Sequence, residues 1–177
     1  LDGSIRPIKG ILPISIYLNG INKTRLVLPK ANCSEATIIG NITAYPVSNL
    51  KEAVNFLNGE INLEPLLSKD TLPNEISRKF DIDFSDVKGQ YQAKRAIEIA
   101  AAGGHNVLMI GPPGSGKTML AKRFATILPD MALEESLESS MLHSIIGLID
   151  AKNPLITKRP FRSPHHTTSD VALVGGG

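Results

Sequence analysis

Cysteine is all but missing: Cys33 is the single one in 177 residues. That excludes an internal disulfide framework, and with no activating neighbour beside it Cys33 reads as a small buried filler. An excess of one charge is missing too, since 19 basic residues face 17 acidic ones for a net charge of +2. No chain-wide positive field is available to draw in nucleic acid, so any such contact has to be local. Long apolar runs are absent as well. None reaches the roughly 18 residues that span a bilayer, and LDGSIRPIKG lacks the continuous apolar centre of a signal peptide. What is left is an ordinary globular balance, 42% hydrophobic and 20% charged, with the cytoplasm and no membrane as the expected setting. The chain begins without a methionine and stops on three glycines. It reads as a piece of a longer protein.

Short strand-like and helix-like stretches alternate through the first 58 residues. Residues 4–8, 25–28 and 42–47 have the length and residue types of strands, and Pro29 stops the second. Ile14, Tyr17, Leu18 and Ile21 follow the i, i+3, i+4, i+7 spacing of one helical face. Residues 32–39 predict a helix ending near Gly40. Leu50, Ala53, Val54 and Leu57 predict another, closed by Asn58-Gly59. Strands alternating with helices imply βαβ units and a parallel sheet. From residue 60 to 82 the periodicity vanishes, and Pro65 and Pro73 interrupt the chain. This stretch reads as an interdomain linker, or else as a long surface loop inside one domain.

A second unit opens near Phe84. Ala93, Ala96, Ile97, Ala100 and Ala101 share one helical face, which Gly103-Gly104 ends. NVLMI, residues 106–110, is short and fully apolar, as expected at the centre of a parallel sheet. Leu120, Phe124, Ile127 and Leu128 predict a helix stopped by Pro129. Leu137, Met141, Leu142 and Ile145 predict a last one ending at Gly147.

Between NVLMI and the helix of Leu120 stands GPPGSGKT, residues 111–118, which fits G-x-x-x-x-G-K-[ST]. Gly111, Pro112, Pro113, Gly114, Ser115 and Gly116 form the turn. Glycines permit backbone conformations a Cβ would forbid, so successive N–H groups converge on phosphate oxygens. The helix that follows aims its positive end at the same anion. Lys117 supplies a compact charge for the terminal phosphates of ATP, and the Thr118 hydroxyl is the natural Mg²⁺ ligand. Strand before and amphipathic helix after are the context this motif requires.

Upstream of the loop, DFSDVKGQ occupies residues 83–90. D-F-x-D-V-x-G-Q, a helix, then HNVLMIGPPGSGKTMLAKR resembles the entry to an AAA+ ATPase module. More narrowly, it resembles the magnesium-chelatase-like branch that includes the ComM/YifB competence proteins. RPFRSPHHTTSDVALVGGG, residues 159–177, is similar to that subfamily's signature. The resemblance covers essentially the whole chain. It implies that Val87, Gly89 and Gln90 lie beside the adenine of ATP. It implies a ring, commonly a hexamer, with ATP between subunits and Mg²⁺ as cofactor. It implies a DNA helicase promoting branch migration in natural transformation, with single-stranded or branched DNA as partner. Residues 1–59 resemble the C-terminal part of the Lon-protease-like domain, a ribosomal S5 domain 2-like α/β unit, of the same proteins. GSIRPIKGILP matches the strand and turn that carry the catalytic lysine of true Lon proteases, and Leu12 falls at that position. Leucine cannot activate a serine nucleophile. Lys9 and Lys30 stand nearby should the alignment slip. The expected architecture is therefore α/β: a partial Lon-like unit over 1–59, a linker over 60–82, and over 83–177 the first part of an AAA+ parallel-sheet domain, cut before the second acidic motif.

RPFRSPHHTTSD, residues 159–170, admits three readings. A metal site fits poorly, because adjacent histidines on a strand point to opposite faces and no further ligand accompanies them. A structural segment, with Pro160 and Pro164 fixing the backbone, is the plain reading. The third is DNA binding: Arg159, Arg162, His165 and His166 concentrate donors suited to phosphate contacts in an otherwise neutral chain. No apolar strand ending in Asp-Glu follows the P-loop. The chain therefore carries no expected catalytic residue, and hydrolysis is expected of the full-length protein only. Two alternatives to the DNA motor stay open: a chelatase-type remodeller of a partner protein, and a peptidase-associated regulatory module.

Overall fold

The computed structural model describes residues 2–67, 81–164 and 167–168. The chain is mixed α/β and divides into two compact units. The first unites the described residues of Leu1–Ser77 with Met131–Thr157, and the second comprises those of Arg78–Asp130 and Lys158–Gly177.

In the first unit, α1 (Ile11–Gly20) leads into β1 (Arg25–Pro29), a 3-10 turn at Lys30–Asn32 and the short α2 (Cys33–Ala36). The chain then enters β2 (Thr43–Val47) and α3 (Leu50–Leu57). β1 and β2 pair in parallel, from Arg25 opposite Thr43 to Pro29 opposite Val47. Aliphatic residues turned to one side of the pair, Leu26, Leu28 and Ala44, close over Ile11, Cys33, Ala36 and Ile42 to form the core. On the other side Arg25 lies over the Tyr45 ring at 5.7 Å, and Tyr45 meets Phe56 of α3 with ring centroids 4.8 Å apart. Asn49 caps α3 by accepting from the Glu52 N–H at 2.8 Å, as an Asn at this position does.

Residues 4–8 do not form the expected strand. Ser4 makes a single bridge to Asn49. The Asn32 side chain then takes both main-chain groups of Ile8: its Oδ1 accepts from the Ile8 N–H at 3.0 Å and its Nδ2 donates to the Ile8 carbonyl at 2.8 Å. Those are the groups a ladder would need, and Pro7 removes another donor.

Helix α1 forms where expected but shows a different face. Ile11, Leu12 and Ser15 are buried, while Ile14, Tyr17 and Ile21 are exposed. ILPISIYL is apolar nearly all round, so periodicity alone does not select a side; the anchoring of its first turn does. The stretch read as a linker starts inside this unit, for Leu66 pairs with Ala44 through bonds of 2.8 and 3.1 Å. Residues 68–80 lie outside the described ones.

Helix α6 (Leu133–Ile146) belongs to the first unit and packs on α1. It too is rotated from the expected face. Ser136, Ser140 and Ser144 are buried, whereas Leu142 and Ile145 are exposed. Small residues let the two backbones approach until the Gly10 N–H donates to the Ser144 carbonyl at 3.1 Å. The serine hydroxyls find partners within the unit: Ser140 Oγ donates to the Ser136 carbonyl at 2.7 Å and accepts from the Ile156 N–H at 2.8 Å, and Ser144 Oγ donates to Glu35. Gly147, at φ 78°, closes the helix.

In the second unit, a 3-10 turn at Phe84–Asp86 precedes α4 (Tyr91–Gly103) and α5 (Lys117–Phe124). Phe84, Val87, Ile97 and Leu120 form its core, flanked by Met109, Phe124 and Ile127. Gly104, left-handed at φ 64°, ends α4. NVLMI is not a strand here. Met109 packs on the core, but Leu108 is 84% and Ile110 89% exposed. A strand exists only through a neighbour's hydrogen bonds, and among the described residues none pairs with 106–110. The helix of Leu120 is also shorter than its apolar stripe: α5 ends at Phe124, and Ile127 is reached through a turn in which its N–H donates to the Phe124 carbonyl at 3.2 Å.

Candidate functional site

The 111–118 loop turns through two glycines in the left-handed region, Gly114 at φ 80° and Gly116 at φ 86°. At Gly116 space is closed as well as conformation, since a Cβ would lie 3.0 Å from Gln90 Nε2 and 3.3 Å from Met119 Cε. Gly116 is the N-cap of α5, and no side chain caps the helix. The first-turn N–H groups are thereby left for an anion. Lys117 begins α5, and its Nζ donates to the carbonyls of Gly111 and Pro112 at 2.8 and 2.9 Å and to Ser115 Oγ at 3.2 Å. The ammonium thus stands at the mouth of the turn. Thr118, next in the helix, is exposed. A left-handed glycine pair, an uncapped helix start, an ammonium and a hydroxyl suit a triphosphate with its Mg²⁺. Lys117, Thr118 and the loop amides are the groups that would hold them.

Beside the loop lies a cleft of about 380 Å³ lined by Gln90, Ala93, Ile97, Gly111, Ser115 and Lys117, among others. Gln90 bridges its two sides by donating from Nε2 to the Ser115 carbonyl at 3.3 Å. Gln90 and Gly89 both have positive φ, 52° and 64°. Of the three residues expected at the adenine, Gln90 lines this cleft, while the Val87 side chain is only 3% exposed and belongs to the core. Only its main chain could face a ligand.

Four positioning residues were not legible as such. Arg123, in the last turn of α5, donates from Nε to the Asp83 carbonyl at 3.0 Å and pairs with Asp86 at 3.3 Å. Asp86 also accepts from the Asp83 N–H at 3.0 Å, and Asp83 Oδ1 accepts from the Ser85 N–H at 2.8 Å. The Ser85 hydrogen bonds, with a smaller attraction from Arg123, hold the Asp83 carboxyl below the ordinary range. Lys94 donates to the Val87 carbonyl at 3.2 Å and lies 5.8 Å above the Phe84 ring. DFSDV is therefore a pinned turn, and its acidic residues serve main-chain groups and Arg123. An Asp-x-x-Asp followed by a basic residue at the end of the second helix after it is the signal that could have revealed it.

The basic stretch separates into its parts. Arg159 Nε donates to the Pro129 carbonyl at 2.8 Å, just beyond α5. Pro160 and Phe161 border a cavity of about 290 Å³ with Ile97, Met109, Phe124 and Leu128. Arg159 thus anchors this segment to the second unit. Arg162 is exposed; His165 and His166 lie outside the described residues. Among the described residues no cluster of His, Cys, Asp or Glu could hold a metal, and no helix is long and apolar enough to cross a membrane. In the first unit Leu12 is fully buried, and Lys9 lies against Gly147.

Comparison with known proteins follows the same outline. Over the whole chain it is 40% identical to competence protein ComM of Haemophilus influenzae, covering 35% of that protein. It is 42% identical to the protein YifB of Escherichia coli, again over the whole chain and 34% of that protein. An archaeal Lon protease of Methanothermobacter thermautotrophicus is 37% identical over 67% of this chain and 17% of its own length. The chain thus spans about a third of the length of the first two relatives. The family model described as magnesium chelatase, subunit ChlI, matches residues 83–177, which hold the pinned turn, the P-loop and the basic stretch. With its glycine turn, its lysine and its helix start all in place, the chain belongs to the magnesium chelatase subunit ChlI family of AAA+ proteins.

Proposed function

We propose that this chain is the nucleotide-binding part of an ATP-driven ring motor that acts on DNA. The observation that carries the nucleotide half is the 111–118 turn, with Gly114 and Gly116 left-handed, α5 uncapped and Lys117 at its mouth. ATP binds with its phosphates in the turn and Mg²⁺ on Thr118, and Val87, Gly89 and Gln90 border the base. Hydrolysis takes place in the full-length protein, in a ring, most simply a hexamer, where neighbouring subunits complete each site. The DNA half draws on the likeness to a competence protein and on the donor-rich 159–166 stretch. Arg162, His165 and His166 contact phosphates, and Arg159 supports the segment that presents them. Branch migration is the activity this reading assigns.

The test is the ATPase rate of the full-length protein with and without single-stranded or branched DNA. Stimulation supports the motor, and a rate indifferent to every DNA sinks it. The family match favours a second reading, a chelatase-type remodeller whose ATPase answers to a partner protein; the same assay separates the two. The peptidase-associated reading is weaker, because Leu12 is sealed in the core where an activating lysine would have to be.

A further inference from the structure

We infer that Arg123 is a positioning residue for the nucleotide's base, although it stands a full helix away from the phosphates. This rests on the proposed placement of the base beside residues 87–90. Helix α5 starts at the phosphate turn with Lys117 and ends with Arg123, whose guanidinium holds the Asp83 carbonyl and the Asp86 carboxylate. The arginine side chain is 18% exposed and that of Asp86 51%, so the guanidinium is held from the protein side while the carboxylate stays open to water and to salt. From that anchor the chain runs through Val87, whose carbonyl is held by Lys94, to Gln90, whose amide returns to the Ser115 carbonyl. The circuit is closed: phosphate turn, α5, Arg123, the pinned 83–86 turn, Gln90, phosphate turn. One rigid helix therefore fixes both ends of the cleft, and the distance between phosphate and base subsites is set by Arg123's grip. The other group on Asp86 is the Asp83 N–H, so removing the guanidinium leaves the 83–86 turn intact and held to α5 only by the packing of Phe84 and Val87 on Leu120.

The discriminating experiment compares two probes on the full-length protein: ATP, and inorganic tripolyphosphate, which carries the phosphates but no base. Arg123→Ala weakens ATP by about tenfold or more, the scale of one lost charge-assisted hydrogen bond, and leaves tripolyphosphate within about twofold. Arg123→Lys keeps the charge toward Asp86 but loses the fork to the Asp83 carbonyl, and recovers part of the ATP affinity. It also guards against a fold effect, since a Lys variant that melts like wild type yet binds ATP weakly still reports positioning. Arg123→Ala that weakens both probes equally, or neither, overturns the inference. Wild-type protein that takes up tripolyphosphate with no preference for ATP overturns the reading of the base subsite and the inference with it.

Discussion

The Glu35 carboxylate accepts a hydrogen bond from the Leu12 N–H at 3.1 Å, from 23 residues away. It thereby caps α1, whose own N-cap, Gly10, has no side chain to offer. The same carboxylate accepts from Asn32 Nδ2 at 3.4 Å and from the Ser144 hydroxyl of α6. A buried charge survives only when its lone pairs are filled, and here a helix start, an amide and a hydroxyl fill them. Glu35→Ala strands these donors and should cost about 3 kcal/mol or more, read as a lower urea midpoint. Glu35→Gln, which keeps an acceptor for Leu12, should cost less.

Gly116→Ala should disable the phosphate turn. The new Cβ meets Gln90 Nε2 at 3.0 Å, and the left-handed backbone is strained for any L side chain, by roughly 1–2 kcal/mol. Calorimetric titration with ATP should show affinity falling by about tenfold or more, with the melting temperature lowered by several degrees through the strain. Lys117→Ala should abolish most ATP binding through lost charge with the turn unstrained.

Cys33 should be inert in the native protein. It is 3% exposed, and burial pushes its thiol up to about 11 from 9.0. The folded state then holds the proton more tightly than the unfolded one. The stabilising contribution is complete below pH 9.0 and is lost as pH rises toward 11. An alkylating reagent at pH 8 should label the protein only after denaturant is added, and the urea midpoint should fall between pH 9 and 11.

Leu12→Lys should create no peptidase. The leucine has no exposed surface, so an ammonium there would be buried without a partner. The expected result is a large loss of stability and no hydrolysis of casein. Leu12→Ala should cost about 2–5 kcal/mol.

Arg159→Ala and Arg162→Ala should behave differently. Loss of Arg162 should reduce DNA binding and its salt dependence. Loss of Arg159 should lower stability as well, because its guanidinium serves the Pro129 carbonyl. Fluorescence anisotropy with labelled DNA at two salt concentrations, alongside melting curves, checks both.

Local chemistry made β1, β2, α3 and α4 readable in the sequence, since each has its period and its stop within a dozen residues. The phosphate turn was readable for the same reason, because one contiguous octapeptide makes it. The inward faces of α1 and α6 were not readable. Long-range anchors fix them, Glu35 on Leu12 and Gly10 on Ser144, and these turn serines inward where an apolar stripe predicts leucines. The apolar 106–110 stretch misled in a different way. Its composition suits a buried strand, but strand pairing is a property of neighbours. The anchoring role of Arg159 was hidden because it serves a main-chain carbonyl, which leaves no mark in a sequence, and Arg123 left a mark only in its distant carboxylate partner, Asp86.

The return of Met131–Thr157 to the first unit bears on how the chain is made. A polypeptide leaving the ribosome usually completes its N-terminal module before the next one emerges. Here Glu35 must wait for Ser144, and Gly10 for the same residue, until synthesis has already passed the whole nucleotide cradle. The first unit therefore closes only after the cradle has been made, and through that interval the side of α1 destined for α6 stays uncovered, a surface for a chaperone to shield.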